Sequence, residues 1–218
     1  MNHRTLIIDC TLDPSSFGCH DLRRLVAEAF GGRSTLVTRR APHGDLPAIE
    51  HFDQIVVSGS RASPEAGLAW IFQLKEFIRE VLARSIPYLG ICFGHQLLAS
   101  ILGGSVKFSS LPQIGWTSIT TKPCRLFEGV PETFVSFSHH FEEVSELPSD
   151  TQVLAYSRHC GLEAIQWKEL PVYGIQFHPE KTCVQAQAIL AKFQHLCLGE
   201  AEPSFLWGAQ IFRNAFHI

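Results

Sequence analysis

The chain has 218 residues, a formal net charge of −3, and a hydrophobic fraction of 45%. This length and composition are typical of one medium-sized domain with a substantial core, and we expect no second domain. The charge argues against nucleic acid or an anionic membrane as a partner, because proteins usually bind such surfaces through clustered Lys and Arg.

The N-terminal residues and the cysteine pattern predict a cytoplasmic protein. Asp9 and Asp13 would interrupt the apolar stretch of a signal peptide, and the sequence has no apolar run long enough to span a membrane. The seven cysteines are odd in number and contain no CxxC pair, so they indicate neither a disulfide framework nor a zinc site. We expect most of them to be small buried residues, and only Cys92 has a different setting.

The first half of the chain alternates apolar β-rich runs with helical patterns, which is typical of a parallel sheet covered by helices. The predicted strands are Thr5–Asp9, Ser34–Thr38, Asp53–Ser58 and Pro87–Ile91. The predicted helices are Asp21–Phe30, Leu68–Arg84 and His95–Leu102. Apolar residues recur at i, i+3 and i+4 in the second helix, which predicts a stripe of core residues there.

The second half changes to short strands, which predict an antiparallel layer and the last strands of the main sheet. These strands are Ser105–Phe108, Trp116–Thr120, Thr133–Phe137, Val153–Tyr156, Glu163–Trp167 and Val172–Phe177, followed by a helix over Cys183–Leu198. We therefore expect an α/β fold over residues 1–198, with a three-layer, open, mostly parallel sheet flanked by helices and a small antiparallel layer. The aromatic and apolar tail, Gly199–Ile218, should pack either on this domain or on a partner.

The segment Gly90–Gly94 has the pattern of a nucleophile elbow, in which a nucleophile lies on a tight strand-to-helix turn. Glycines two residues before and two residues after Cys92 remove side chains that would clash, and the new helix directs its N-terminal N–H groups toward the sulfur. This setting favours the reactive thiolate. A buried structural cysteine would not need both glycines, so we interpret Cys92 as a nucleophile.

His178 and Glu180 are the residues that could serve such a nucleophile. His178 directly follows the strand Val172–Phe177, where a side chain can emerge from the edge of the sheet. Glu180, two residues later, can accept the imidazole N–H and hold the ring in position. The tripeptide His-Pro-Glu is a weak signal alone, but together with the upstream elbow it predicts a Cys-His-Glu triad.

The two motifs GICFGHQ (residues 90–96) and GIQFHPE (residues 174–180) resemble those of the class I glutamine amidotransferase family. The similarity extends over Leu6–Leu198 and is greatest to the domain found in GMP synthetase and in stand-alone relatives such as γ-glutamyl peptidases. The resemblance implies a flavodoxin-like fold and no cofactor. It also implies that Cys92 attacks the side-chain amide of glutamine, that His178 protonates the departing ammonia and then activates water, and that Glu180 orients His178.

The same resemblance implies an oxyanion hole and a substrate pocket. The backbone N–H groups of Gly59 and Phe93 would bind the oxyanion. The implied substrate-binding residues are Ser60, Gln96, Ser138, His139 and His140. Without the family pattern, Ser58-Gly59-Ser60 would be read as an ordinary surface loop.

We expect no metal site and no second catalytic base. His139 and His140 are adjacent, but no third ligand has suitable spacing for a metal. His95, beside the elbow, is expected to face outward from the first turn of its helix.

Two departures from the family pattern affect the expected substrate and partner. The family often has Gly-Gly-Pro where this chain has Ser58-Gly59-Ser60, and a small residue where it has His140, so a larger amide than glutamine could be accepted. About forty residues follow the triad, too few for an attached synthetase domain. Ammonia would then pass to a separate enzyme, or the protein would simply hydrolyse its substrate.

Three functions are therefore compared at this stage. The first is a glutamine amidotransferase that hydrolyses glutamine and supplies ammonia to a separate synthetase. The second is a γ-glutamyl peptidase or hydrolase that uses the same triad, and the third is a non-catalytic binding or regulatory relative. The chain has no phosphate-binding glycine loop, so any ATP would be bound by a partner.

Overall fold

The computed structural model describes residues 3–13, 19–147, 150–193 and 206–217. The strands in this part of the chain are β1 (His3–Asp9), β2 (Ser34–Arg40), β3 (Gln54–Val57), β4 (Tyr88–Ile91), β5 (Ser105–Thr121), β6 (Thr133–Glu146), β7 (Thr151–Tyr156), β8 (Ala164–Trp167) and β9 (Val172–Ile175). The α-helices are α1 (His20–Phe30), α2 (Ala69–Ala83), α3 (Phe93–Ile101), α4 (Cys183–Lys192) and α5 (Gly208–Phe216).

These strands form a single mixed sheet with the order β2-β1-β3-β4-β9-β8-β7-β5-β6. The strands from β2 to β9 in this order are parallel, and the remaining pairs are antiparallel. The predicted α/β class is confirmed. Because β4 and β9 are parallel neighbours, the segments that follow their carboxyl ends meet at one edge of the sheet.

The antiparallel part differs from the prediction, because it continues the main sheet instead of forming a small layer of its own. Strand β6, predicted as Thr133–Phe137, extends to Glu146. Ser105–Phe108 and Trp116–Thr120 are not separate strands, but parts of the single strand β5. Its pairing with β6 is irregular between Phe108 and Gln113. This interval contains Pro112, which has no N–H to donate to a neighbouring strand. The proline therefore interrupts the register without ending the strand.

The core consists of two large apolar clusters on the two faces of the sheet. One contains Leu22 and Val26 of α1, and the other contains Leu74 of α2 and Leu97 of α3. The predicted stripe of α2 is confirmed, because its buried residues are Ile71, Leu74, Ile78, Val81 and Leu82. No helix in the described ranges is long and apolar enough to cross a membrane.

The described part of the apolar tail belongs to the core of this chain. Ile211 and Phe212 of α5 are fully buried in the same cluster as α1. Phe216 contacts Phe30 edge to face, with ring centroids 5.8 Å apart. Helix α5 therefore packs on α1. Residues 194–198 of the predicted final helix lie outside the described residues.

Candidate active site

Cys92 occupies a strained turn between β4 and α3. Its backbone has φ 50° and ψ −101°, which lies outside the regions that L-amino acids favour. The turn is held from both sides, because the Cys92 N–H donates to Ile175 O (2.8 Å) and the Gln96 N–H donates to Cys92 O (3.0 Å). Strain of this kind persists only where the surrounding structure enforces it, and it is concentrated at functional sites.

The two elbow glycines are required by the close approach of the backbone around Cys92. A Cβ at position 90 would lie 2.4 Å from the carbonyl oxygen of Gly94, and a Cβ at position 94 would lie 2.6 Å from the carbonyl oxygen of Val57. The hydroxyl of the buried residue Tyr88 donates a hydrogen bond to Gly94 O (2.8 Å). The turn is thus packed too tightly for any larger residue at either position.

His178 and Glu180 form a buried hydrogen-bonded pair. The His178 Nδ1 lies 2.7 Å from Glu180 Oε1, and both side chains are almost fully buried. The backbone N–H of His178 donates to the backbone oxygen of Phe137 (2.7 Å). This bond holds the segment that follows β9 against β6. Glu180 therefore holds the imidazole with its Nε2 free, and this atom is buried without a hydrogen-bond partner among the described residues.

The electrostatic environment favours the charged forms of this pair. Burial alone would lower the pKa of His178, but Glu180 and Cys92 outweigh it and raise the pKa to about 10. Burial alone would raise the pKa of Glu180, but interaction with His178 lowers it below its usual value. The imidazole is therefore protonated near neutral pH and can act as a general acid.

Gly59 is adjacent to both Cys92 and the imidazole of His178. A Cβ at this position would stand 2.9 Å from His178 Cε1 and 3.5 Å from Cys92 Cβ. On another side, the Cys92 Sγ lies 3.8 Å from the carbonyl oxygen of His139. The structure thus brings Cys92, Gly59, His139 and His178 together at one point.

The predicted oxyanion donors belong to two residues that adjoin Cys92. Phe93 is the first residue of α3, so its N–H has no acceptor within the helix. The peptide of Gly59 is held by Ser58, whose Oγ donates to Gly59 O (3.0 Å) and accepts from Cys10 N (2.9 Å). The arrangement can present two backbone N–H groups to an oxyanion.

The predicted substrate-binding side chains differ in which of their polar atoms remain available to a ligand. Gln96 Nε2 donates to Glu142 O (2.7 Å) and Gln176 Oε1 (3.1 Å), so only its oxygen remains for a ligand. The His140 Nδ1 is 3.1 Å from Glu142 O, and its ring is buried. Ser138 is fully buried, and its Oγ has no hydrogen-bond partner in the described structure. Ser60 Oγ accepts from Ala62 N (3.1 Å).

The prediction that His95 faces outward is wrong. His95 is 0% exposed, and its Nδ1 lies only 2.6 Å from the point where a Cβ of Gly174 would stand. Burial lowers the pKa of His95 to about 3, so the ring stays neutral. Helix α3 is covered by the sheet from its first turn, which leaves no outward face at this position.

The sequence interpretation missed Gln176, although a signal for it was present. Side chains alternate between the two faces of a strand, so Gly174, Gln176 and His178 lie on the same face. Gly174 contacts His95 and Gln176 contacts Gln96, so this face is turned toward α3. The period of two in GIQFHPE could have identified Gln176 as a neighbour of the elbow helix.

An aromatic cluster beside the sulfur was also missed. The His139 ring packs on Phe193 and Phe141, with ring centroids 5.5 and 6.3 Å apart. Phe193 directly follows α4, far from the motifs in sequence, and no local pattern indicates this contact. As for metals, no group of three or more potential ligands occurs in the described ranges.

Replacing Gly59 by alanine should reduce kcat about 100-fold. The new methyl group would require a shift of His178, which Glu180 holds in place, and small misplacements of catalytic groups are costly. Gly161→Ala is the matched control, because a Cβ at position 161 has no atom within 4 Å. Steady-state kinetics of both variants measures the effect, and an unimpaired Gly59→Ala enzyme would contradict the geometry.

The family and its members were identified by comparison with known proteins. The sequence profile of the family described as "Glutamine amidotransferase class-I" matches residues 22–196. The glutamine-hydrolysing GMP synthase subunit of Methanopyrus kandleri is 37% identical over 151 residues, covering 68% of this chain and 78% of that protein. The protein of the same name from Pyrococcus abyssi is 32% identical over 170 residues, covering 77% and 87%.

Solved structures share the fold at lower sequence identity. A glutamine amidotransferase from Thermotoga maritima has a TM-score of 0.81 and 21% identity, covering 100% of this chain and 97% of that chain. A glutamine amidotransferase from Methylobacillus flagellatus has a TM-score of 0.78 and 24% identity, covering 100% and 92%. The fold, the elbow and the extent of the family match lead to one assignment: the chain belongs to the class I glutamine amidotransferase family.

Proposed function

We propose that this protein hydrolyses the side-chain amide of glutamine through a thioester on Cys92 and supplies the ammonia to a separate biosynthetic enzyme. The observation that carries the proposal is the close approach of both Cys92 and His178 to Gly59, with Glu180 bonded to His178. A strained cysteine beside a buried imidazolium is a nucleophile with its general acid in place.

The first half of the reaction forms the thioester. The Cys92 sulfur attacks the carboxamide carbon, and the N–H groups of Gly59 and Phe93 stabilise the resulting oxyanion. His178 gives its proton to the departing nitrogen as the C–N bond breaks, and ammonia leaves. The imidazole is then neutral, and Glu180 keeps its Nε2 aimed at the reacting atoms.

The second half releases glutamate. The neutral His178 takes a proton from a water molecule, and the oxygen of this water attacks the thioester carbon. When the second tetrahedral intermediate collapses, the C–S bond breaks and the sulfur leaves as a thiolate beside the protonated imidazole. Glutamate departs, and Cys92 and the protonated His178 are ready for the next substrate.

The relatives indicate the partner of this protein, and its cysteines indicate the cellular compartment. The named relatives are A subunits of the glutamine-hydrolysing GMP synthase, so we propose a synthetase on a separate chain as the ammonia acceptor. Residues 1–198 would form the catalytic domain, with the tail 199–218 packed on it through α5. The six described cysteines form no disulfide, which supports a reducing compartment such as the cytoplasm.

The proposal is tested by incubating the purified chain with L-glutamine and, separately, with a γ-glutamyl dipeptide. We expect glutamate and ammonia in equal amounts from glutamine, at a higher kcat/KM than for the dipeptide. Mass spectrometry of rapidly quenched samples should detect a glutamyl thioester that is absent from Cys92→Ala. Faster turnover of the dipeptide would instead identify a γ-glutamyl hydrolase, and the absence of turnover and thioester with both substrates would reject the enzyme.

A further inference from the structure

Arg61 lies on the same short loop as the proposed oxyanion donor. It follows Gly59 by two residues, and the hydrogen bond from Ala62 N to Ser60 Oγ (3.1 Å) forms a local turn around it. Gly59 itself stands next to both Cys92 and His178. Arg61 is therefore close in the chain to the proposed site, and we call this loop together with His139, whose carbonyl contacts the Cys92 sulfur, the rim of the site.

Arg61 has no charged partner in the part of the chain that the structure describes. The residue is exposed, and its guanidinium forms no ion pair or hydrogen bond with the described residues. Other exposed arginines behave differently: Arg24 pairs with Glu28 (3.5 Å), and Arg84 pairs with Glu50 (3.0 Å). An unpaired guanidinium beside a substrate site can bind an anion through two parallel N–H donors.

Three positive groups act on one side chain at this rim. Arg61, Lys181 and His178 all disfavour protonation of His139, whose pKa is lowered to about 4, chiefly by burial and then by these charges. The carbonyl oxygen of His139 contacts the Cys92 sulfur. The carboxylate of Glu180 contacts both His178 (2.7 Å) and Lys181 (3.9 Å), so its single negative charge does not balance the three positive groups. The rim beside the nucleophile thus has excess positive charge.

The substrate carries a matching negative charge. Glutamine has an α-carboxylate a few bonds from the amide that Cys92 would attack, and a carboxylate withdrawn from water requires a charged or hydrogen-bonding partner. We propose that Arg61 binds the free α-carboxylate of the substrate and makes the enzyme specific for glutamine and other γ-glutamyl compounds that retain this group. This inference rests on the proposed function.

The test compares L-glutamine with its α-carboxamide, which differs only at the group that Arg61 would bind. Arg61→Ala should lower kcat/KM for glutamine about 10- to 100-fold, the usual range for a charged hydrogen bond. Most of the change should appear in KM, because the α-carboxylate is bound equally before and during the reaction. For the carboxamide, kcat/KM should change by less than about threefold.

Two further variants complete the design. Arg61→Lys keeps the positive charge and should recover part of the preference for glutamine. Arg24→Ala removes an exposed arginine on α1 and should leave both substrates unaffected. An equal loss for both substrates in Arg61→Ala, or an unchanged preference, would overturn the role of Arg61. A wild-type protein that turns over neither substrate would instead contradict the proposed function itself.

Discussion

Cys92→Ala should lower kcat for glutamine hydrolysis by about 10⁴-fold or more. The substitution removes the only atom that can form the proposed thioester, while the fold should remain, because the side chain is small. Ammonia release measures the loss. Activity within about tenfold of wild type would contradict the assignment of the nucleophile.

The strain at position 92 adds a stability prediction to the same experiment. Both Cys92→Ala and Cys92→Gly remove the sulfur, but only glycine relieves a φ of 50° with a ψ of −101°. Relief of the strain raises the free energy of unfolding by more than the greater flexibility of glycine in the unfolded chain lowers it. Cys92→Gly should therefore be more stable than Cys92→Ala by about 1 kcal/mol.

Denaturant unfolding of the two inactive variants measures this difference directly. Equal stability, or a more stable alanine variant, would show that the elbow is not strained. The expected order would mean that the wild-type protein gives up stability in order to hold its nucleophile in a reactive position.

Glu180→Gln should lower kcat/KM by about 10³-fold. The amide can no longer stabilise the imidazolium, and it can turn its NH₂ group toward His178 Nδ1, which reverses the hydrogen bond that now holds the ring (2.7 Å). Glu163→Gln is a matched control, because Glu163 is also fully buried. Burial raises the pKa of Glu163 to about 7, so an amide resembles its protonated form and activity should be close to wild type.

The pH profile separates this effect from a simple loss of structure. Glu180 is one of the groups that raise the pKa of His178 to about 10. When the Glu180→Gln substitution removes this negative charge, burial of the imidazole lowers the pKa of His178. Since the imidazolium is required to protonate the departing nitrogen, kcat/KM of wild type should decline only as pH rises toward 10. In Glu180→Gln the decline should begin at lower pH. An unshifted alkaline limb would contradict the role of Glu180.

The architecture explains how separate parts of the chain form one site. The elbow follows β4, and His178 follows β9, its parallel neighbour, so both lie at the same edge of the sheet. Gly59 follows β3, on the other side of β4. The proposed nucleophile, acid and one oxyanion donor thus follow three adjacent strands. Strand β6 contributes the His139 carbonyl and is bridged to His178 through Phe137.

Features that depend on residues close in the chain could be predicted from the amino-acid sequence alone. The glycines around Cys92, the short His-Pro-Glu motif and the helical period of α2 are local patterns, because a tight turn, a strand end and a helix face each restrict residues close in sequence. They were sufficient for the α/β class, for most of the strands and for the family. The length of β5 was not predicted, because pairing with β6 maintains that strand across Pro112.

Contacts between residues that are distant in the chain could be identified only from the three-dimensional fold. The burial of His95 against Gly174, the bond between Gln96 and Gln176, and the position of Phe193 beside His139 each join segments that are far apart in the chain. The docking of α5 on α1 likewise joins the two ends of the chain. Such contacts depend on how the whole sheet and its helices pack. The free energy of this packing comes from residues throughout the chain, and a local sequence pattern reflects only the part that neighbouring residues contribute.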